Sequence, residues 1–564
     1  RATATLSLLL AFGSTGCNRG GGGDDGADGG TESASDTDAI ETDSVGDTAD
    51  TGDDGFDVDI VPAPGGMRRL LATEYVDSIE LMLGQSAAQA ARPAPDSSRR
   101  HFVAIGAQET SLAAEAIEQY ERSATAIAEA TVEDKTTLAQ LVPCVTGNGG
   151  QACYEEVATE LGRFAFRRSL SGEEVTALVD LALDGQAWGE GDFDAGLKYM
   201  LMAILQAPSF LYIMEIGEPD DDLGFRRLTS LEMASRLSFF LLGRTPTLEM
   251  LDLGESGGLE TTTQIRDVAE QMVAATRARV GLQKFTDELF NLQRLEDMNK
   301  SPDLFPLYSP ELARFMREET RLFIEDLVWD EDGDARRLLD ATYTFVNDPL
   351  AELYGIAPPG TGQDFARTAW PAEQARRGLL AQASFLTSQS NPNRNSPIKR
   401  GIFVQEVLLC NPIPPPPPEV MAELPDIPED TSLREALELH NVPECAACHA
   451  MVDPIGFAFE FYDAIGRYRT LDNGVPIDAS GNVEGIGAWQ DAAGLATLVA
   501  QDPRTMTCLI RNMIRGQLGH IDTPGEAPGI AALDTEFADS GYSIKNLLVE
   551  MAVSPIFRLV DEPK

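Results

Sequence analysis

Three residues in the last quarter of the chain have the types and spacing that covalent attachment of a cofactor requires. Cys445, Cys448 and His449 form a C-x-x-C-H motif. Two thiols three positions apart on a helical turn can add to the two vinyl groups of one haem, and the next histidine can bind the iron as proximal ligand. The motif therefore predicts one covalently bound haem c with His449 as an axial iron ligand.

Two other chemistries use the same cysteine spacing. A zinc site needs four ligands, usually with a second Cys or His pair at close spacing. The nearest other thiols, Cys410 and Cys508, are isolated in the sequence. A redox dithiol of the thioredoxin kind is expected in a βαβ context, which the flanking sequence does not show. The spacing therefore favours haem, with zinc and dithiol chemistry as alternatives.

The sixth iron ligand decides what a haem at this motif does. Met451 follows His449 so closely that its backbone must lie on the proximal side. Met506, Met513 and His520 lie further along, where a carboxyl-terminal helix can fold over the ring. We take Met513 as the candidate distal ligand. A methionine there gives a relatively high potential and electron transfer, whereas an open position admits peroxide or oxygen.

The charge balance excludes one class of partner. The 564 residues include 91 Asp and Glu against 43 Lys and Arg, for a net charge of -48. Nucleic-acid affinity comes mainly from Lys and Arg contacts to phosphates, so we expect no nucleic-acid partner. A redox partner protein or a cell-surface component fits this surface better.

The amino-terminal region has the pattern of a secreted, lipid-anchored protein. Residues 6–12 are an apolar run, and Cys17 follows at the place of a lipoprotein cleavage site. We predict a signal peptide over 1–17, lipidation of Cys17 and a disordered acidic Gly/Asp tether over 18–65. An unlipidated signal is the alternative. The expected location is extracytoplasmic, either the periplasm or the outer membrane of a Gram-negative-type bacterium, with the lipid anchor as the only membrane attachment.

Most of the remaining sequence is typical of helices. Ser171 with Glu174 and Thr229 with Glu232 form capping boxes, and Ser309 precedes a proline at the first helical position. Strand signals are sparse, the best being 341–346. The fold class predicted is predominantly α, with several helical domains in series and a carboxyl-terminal cytochrome c-like helical haem domain.

Composition shifts suggest where these domains begin and end. Cys144 and Cys153 bracket a Gly-rich loop, which predicts a disulfide in an oxidising compartment. Consecutive prolines from Pro414 favour an extended spacer. The predicted divisions are a helical domain over 66–135, a helical domain with the disulfide loop over 136–202, a central helical domain over 203–357, a linker ending in polyproline over 371–420, and the haem domain over 421–564.

Several of these stretches together resemble a known family. The carboxyl-terminal ones are N-P-N-R-N-S-P-I-K-R-G from Asn391, C-A-A-C-H, D-P-I-G-F, and F-Y-D-A-I-G-R-Y-R up to Arg469. They resemble the Planctomycete-type cytochrome-domain proteins, bacterial multi-domain proteins of unknown function with a single haem motif. The resemblance extends to earlier stretches at 69–75, 164–170 and 205–212. It implies haem c, an extracytoplasmic location and redox work without a settled substrate.

The cysteine count is consistent with this scheme. Setting aside Cys17 for lipid and the two motif cysteines for haem leaves an even four. We hypothesise two disulfides, one between Cys144 and Cys153 and a second between Cys410 and Cys508.

Three functions are compatible with the sequence. The first is an extracytoplasmic single-haem protein that transfers electrons through the His449-bound iron. The second is a haem enzyme, peroxidase-like or polymer-oxidising, with an open sixth position. The third is a surface binding or scaffold protein in which haem is structural.

Overall fold

Helices make up most of the described chain, which confirms the prediction of a predominantly α protein. The structure is a computed structural model, and of residues 439, 443–445 and 447 it describes only the backbone. The residues that it describes are 60–109, 111–147, 149–414, 430–439 and 443–563.

The predicted anchor region lies outside these residues. Cys17, the signal peptide and most of the tether precede residue 60, and His440 and the polyproline after Pro414 are likewise not described. Within the described ranges, no helix is long and apolar enough to cross a membrane.

Side-chain caps fix where several helices begin. Ser171 Oγ accepts a hydrogen bond from the backbone N–H of Glu174 at 3.2 Å, and Thr229 Oγ1 accepts one from Glu232 at 3.2 Å. Ser309 caps its helix in the same way. Backbone N–H groups in the first turn of a helix otherwise lack an intrahelical partner. These caps therefore fix the residue at which each helix begins.

The amino-terminal helices of the described chain enclose the smaller of two main apolar cores, except for the helix Val103–Glu109, whose Ile105 is buried in the larger one. The buried side chains of the smaller core include Tyr75, Ile127, Tyr154 and Leu197. The helices are α1 (Ala72–Leu83), α2 (Gln85–Ala90), α3 (Val103–Glu109), α4 (Ala114–Glu133), α5 (Thr136–Leu141), α6 (Gln151–Phe166), α7 (Gly172–Trp188), α8 (Phe193–Gln206) and α9 (Pro208–Leu211).

The larger core joins the middle of the chain with its carboxyl-terminal part. Leu237, Phe385, Phe459 and Phe557 are all buried in it. The middle helices are α10 (Ser230–Leu242), α11 (Leu248–Glu255), α12 (Thr262–Ala274), α13 (Thr276–Leu289), α14 (Pro310–Glu325), α15 (Arg337–Asp340), α16 (Asp348–Tyr354), α17 (Ala383–Ser388) and α18 (Pro397–Phe403). The carboxyl-terminal helices are α19 (Leu433–Leu439), α20 (Pro443–Phe457), α21 (Ala492–Gln501), α22 (Pro503–Met513), α23 (Ala527–Asp539), α24 (Ile544–Val553) and α25 (Pro555–Arg558).

Short antiparallel strands join distant parts of the chain. They are β1 (Gly66–Arg69), β2 (Tyr212–Glu215), β3 (Glu218–Asp220), β4 (Phe225–Arg227), β5 (Tyr343–Val346), β6 (Ala366–Ala369), β7 (Leu471–Asp472), β8 (Val475–Pro476), β9 (Gly481–Val483), β10 (Gly487–Trp489) and β11 (Leu559–Val560). β1 pairs with β2, and β4 lies between β3 and β11. The best strand signal of the sequence, at 341–346, contains β5.

The predicted linker over 371–420 contains structured, buried chain as far as it is described. α17 and α18 lie within it, and Phe385, Arg400 and Phe403 are at most 4% exposed. Their side chains pack in or beside the larger core, so this segment supports the helices around it. The domain boundaries themselves stay predictions.

Candidate haem site

Helix α20 carries the C-x-x-C-H motif. Pro443 stands at its first position, where the missing N–H of proline costs nothing. Positions 445, 448 and 449 are three and four residues apart, so the helix puts them on one face. Cys448 is partly exposed and is not in a disulfide, and the His449 side chain is 33% exposed. The side chain of Cys445 lies outside the described residues.

A buried carboxylate orients the predicted iron ligand. Asp453 Oδ2 lies 2.9 Å from His449 Nδ1, one helical turn further along α20. Asp453 is only 7% exposed, and burial raises its pKa against the opposing effect of His449. A metal-binding histidine typically donates its second ring N–H to such a partner, which leaves Nε2 to bind the metal.

The surroundings of the second Asp453 oxygen indicate whether this site suits a cationic group. Among the described residues, Oδ1 is buried without a hydrogen-bond partner. A buried carboxylate with an unused oxygen is costly unless a nearby positive charge compensates it. Iron bound to His449 would supply that charge, so the residues present fit a haem c.

Helix α20 is held closely against α18 through two glycines. A Cβ at Gly401 would lie 2.2 Å from the Val452 carbonyl oxygen, and a Cβ at Gly456 would lie 2.0 Å from that of Pro397. Gln405 Nε2 also donates to the Met451 carbonyl oxygen at 2.8 Å. No larger residue fits at either glycine without moving a backbone, so these contacts fix the position of the motif.

A buried cation fixes the segment that follows α20. Arg400 is fully buried and donates to the carbonyl oxygens of Phe459, Tyr462 and Asp463 at 2.9–3.1 Å. Burial lowers the pKa of Arg400 to about 10. Arg400 therefore holds the segment after α20 in place, a role that its motif in the sequence did not reveal.

Lys300 is a second buried cation, and it contacts the segment after α20 through Ser390. Lys300 Nζ donates to Ser390 Oγ and to the Thr387 carbonyl oxygen, and Ser390 Oγ donates to the Ala464 carbonyl oxygen at 2.7 Å. Burial, together with the charge of Arg400, lowers the pKa of Lys300 to about 7. No local sequence pattern predicted this contact, because Lys300 is far from the motif along the chain.

The candidate distal ligand lies in the larger core. Met513 is 1% exposed and lines an apolar cavity of about 40 Å³ together with Leu289 and Val407. In the described part of the chain, neither this cavity nor any hydrogen bond connects Met513 with His449. His520 is engaged elsewhere, with Nε2 2.8 Å from Glu526 Oε1. The role of Met513 as distal ligand stays a prediction.

The described residues contain two disulfides. Cys144 is bonded to Cys153 and Cys410 to Cys508, with Cα–Cα distances of 5.8 and 5.4 Å. These are the two pairs that the cysteine count suggested. The second bridge closes the loop that contains α20.

Three stretches of the chain match protein-family models. Residues 153–215 match PSD5, a protein of unknown function (DUF1595). Residues 228–356 match PSD4, a protein of unknown function (DUF1592), and residues 376–472 match PSCyt3, a protein of unknown function (DUF1588). All three are Planctomycete cytochrome-domain families, which confirms the resemblance at the level of these families. No curated protein and no solved structure matches the chain.

The stretch that matches PSCyt3 is the one that carries the chemistry. It contains the C-x-x-C-H motif, Asp453, Arg400 and both glycines of the α18–α20 contact. The sequence placed the motif, but it did not single out Asp453 as the partner of His449. The four-residue separation of the two side chains, typical of one helix face, was the signal available for it.

Proposed function

We propose that this chain is an extracytoplasmic c-type cytochrome-like protein with one haem, and that it transfers electrons through iron bound to His449. The observation that carries the proposal is the His449–Asp453 hydrogen bond of 2.9 Å on the helix of the C-x-x-C-H motif. It orients a histidine as metal-bound histidines are commonly oriented. The cytochrome-type family name of the surrounding stretch agrees with it.

Each group has a separate task in this proposal. Cys445 and Cys448 would hold the haem by thioether bonds, and His449 would bind its iron. The bound haem would supply one-electron chemistry. The close contact of α18 with α20, and the hydrogen bonds of Arg400 to the segment after α20, would keep the histidine at a fixed position while the charge of the site changes.

The class of partner protein is proposed from the net charge of the chain. With a net charge of -48, the chain favours a redox protein or cell-surface component with a basic contact surface. A lipid on Cys17 would keep the protein at the membrane where such a partner is found.

The test is covalent haem content. After expression with a haem c maturation system, the protein is extracted with acid acetone and its alkaline pyridine spectrum is recorded. We expect one haem per chain to stay with the polypeptide, and none in a variant with Cys445→Ser and Cys448→Ser. A variant with Cys144→Ser and Cys153→Ser, which removes two cysteines outside the motif, should keep it.

Haem that is fully extracted from the unaltered protein would refute the proposal. Carbon monoxide then distinguishes a carrier from an enzyme with an open position. A carrier with a strong sixth ligand should resist carbon monoxide at neutral pH, and ready binding would favour the haem enzyme instead.

A further inference from the structure

The partner of His449 is the side-chain carboxyl group of an aspartate. A histidine can donate Nδ1–H to a carboxylate, a backbone carbonyl or water, and these partners affect the bound metal differently. Here the partner is the carboxylate of Asp453, at 2.9 Å. We infer that Asp453 is a positioning residue that holds the His449 ring and lowers the reduction potential of the haem. This inference rests on the proposed function.

The direction of the change in reduction potential follows from electrostatics. A carboxylate draws the Nδ1 proton toward itself, so the imidazole becomes more electron-rich and a stronger donor through Nε2. The oxidised iron has one more positive charge than the reduced iron. An electron-rich ligand therefore stabilises the oxidised form more, and the potential falls.

Burial limits how far water screens this carboxyl group from the histidine. Asp453 is 7% exposed, so water screens its charge weakly. Among the ion pairs of the described residues, Asp453 has His449 as its partner and no Arg or Lys. The buried cations nearby are committed elsewhere, because Arg400 and Lys300 donate to carbonyl and hydroxyl oxygens. The charge of Asp453 is thus directed at the histidine.

A nearby acid provides the matched control. Glu438, on α19, is close enough for its charge to act on Asp453, but it pairs with Arg434 and is largely exposed. Glu438→Gln removes the same unit of charge as Asp453→Asn without removing the hydrogen bond to His449. A comparison of the two variants separates the effect of the Asp453–His449 hydrogen bond from the effect of removing any negative charge in this region.

The experiment is a spectroelectrochemical titration of the haem-loaded full chain. Loss of a partner next to a metal ligand typically costs about 10- to 100-fold in metal affinity or activity. We expect Asp453→Asn to shift the one-electron equilibrium at least tenfold toward the reduced form, a rise of about 59 mV. Asp453→Glu, which keeps the charge, should restore most of the difference, and Glu438→Gln should shift the potential much less.

A second readout uses the unaltered protein, in case the asparagine variant does not fold. The Nδ1 proton of His449 in the reduced protein should exchange slowly with solvent by NMR, because Asp453 holds it. Fast exchange would overturn the inference. Equal potentials for Asp453→Asn and Glu438→Gln, with haem attached in both, would also overturn it. Absence of haem from the unaltered protein would instead refute the proposed function.

Discussion

At the scale of single residues, the molecule keeps several charged groups inside its core. Glu319 is fully buried and accepts hydrogen bonds from Thr344 Oγ1 and Tyr354 Oη at 2.7 and 2.6 Å. Arg376 is also buried and lies over the Tyr354 ring, 4.5 Å from its centroid. Such groups are tolerated because their polar atoms have partners, and each makes stability depend on pH.

The buried carboxyl group of Glu319 should make the unfolding free energy depend on pH. Burial raises its pKa from 4.5 to about 7. The folded state therefore binds a proton more tightly than the unfolded state, so this contribution to stability is fully present below pH 4.5 and is lost as pH rises through about 7. We expect Glu319→Gln, which is always neutral, to flatten the fall in unfolding free energy between pH 5 and about pH 7.5. Its amide oxygen can accept one of the two hydrogen bonds, and its NH2 group can donate to the other hydroxyl oxygen.

Urea unfolding of both proteins at several pH values measures the difference. Glu288 and Glu460 have raised pKa values as well, so the comparison is between slopes and not between single values. A variant whose stability changes with pH in parallel with the unaltered protein would show that Glu319 does not titrate in this range.

At the scale of elements, the position of α20 depends on its contact with α18. The two helices approach so closely at Gly456 that a methyl group there would meet the Pro397 carbonyl oxygen. Close backbone approach of this kind is a common reason for a glycine inside a helix. It couples the loop before α18, with its N-P-N-R-N-S motif, to the position of His449.

We expect Gly456→Ala to disturb this contact. Overpacking of a well-packed interior typically costs about 1–3 kcal/mol, and here the obstacle is a backbone atom that cannot change rotamer. The unfolding free energy of this variant, measured with urea, should fall by about 1–3 kcal/mol or more. Gly172→Ala is the control, because a Cβ at this helical glycine meets nothing within 4 Å, and its stability should be unchanged or slightly higher. A Gly456→Ala protein as stable as the control would contradict the packing.

At the scale of the whole molecule, the region of the C-x-x-C-H motif and the middle helices share one core. Phe385 of α17 packs on Phe459, which follows α20, with 5.7 Å between ring centroids. The Cys410–Cys508 bridge joins the end of the α18 region to α22. Apolar packing and a covalent bridge therefore both connect the motif region to the helices around it.

The two disulfides should differ in what their removal costs. The bridge at Cys410–Cys508 spans 98 residues and the one at Cys144–Cys153 spans 9. In the chain-entropy model, a loop of about 100 residues contributes about 4.7 kcal/mol, whereas one of about 15 residues contributes about 3 kcal/mol. Replacing Cys410 and Cys508 by alanine should therefore lower the unfolding free energy more than replacing Cys144 and Cys153. Equal losses would indicate that the large loop stays ordered without its bridge.

The sequence by itself determined what depends on neighbours within about four residues. The C-x-x-C-H spacing specifies its chemistry locally, and the caps at Ser171, Thr229 and Ser309 specify where helices begin. The i, i+4 relation of His449 and Asp453 is of the same kind. Such features can be predicted because the helix fixes the geometry between the residues involved.

The tertiary structure alone decided which distant groups meet. Arg400 is 59 residues from Phe459, whose carbonyl oxygen it binds, and nothing in the local pattern names that partner. The same holds for the burial of α17 and α18 inside a predicted linker, and for the place of Met513 in the core. Burial and long-range pairing follow from how all the apolar faces pack together, so no short stretch of sequence contains them.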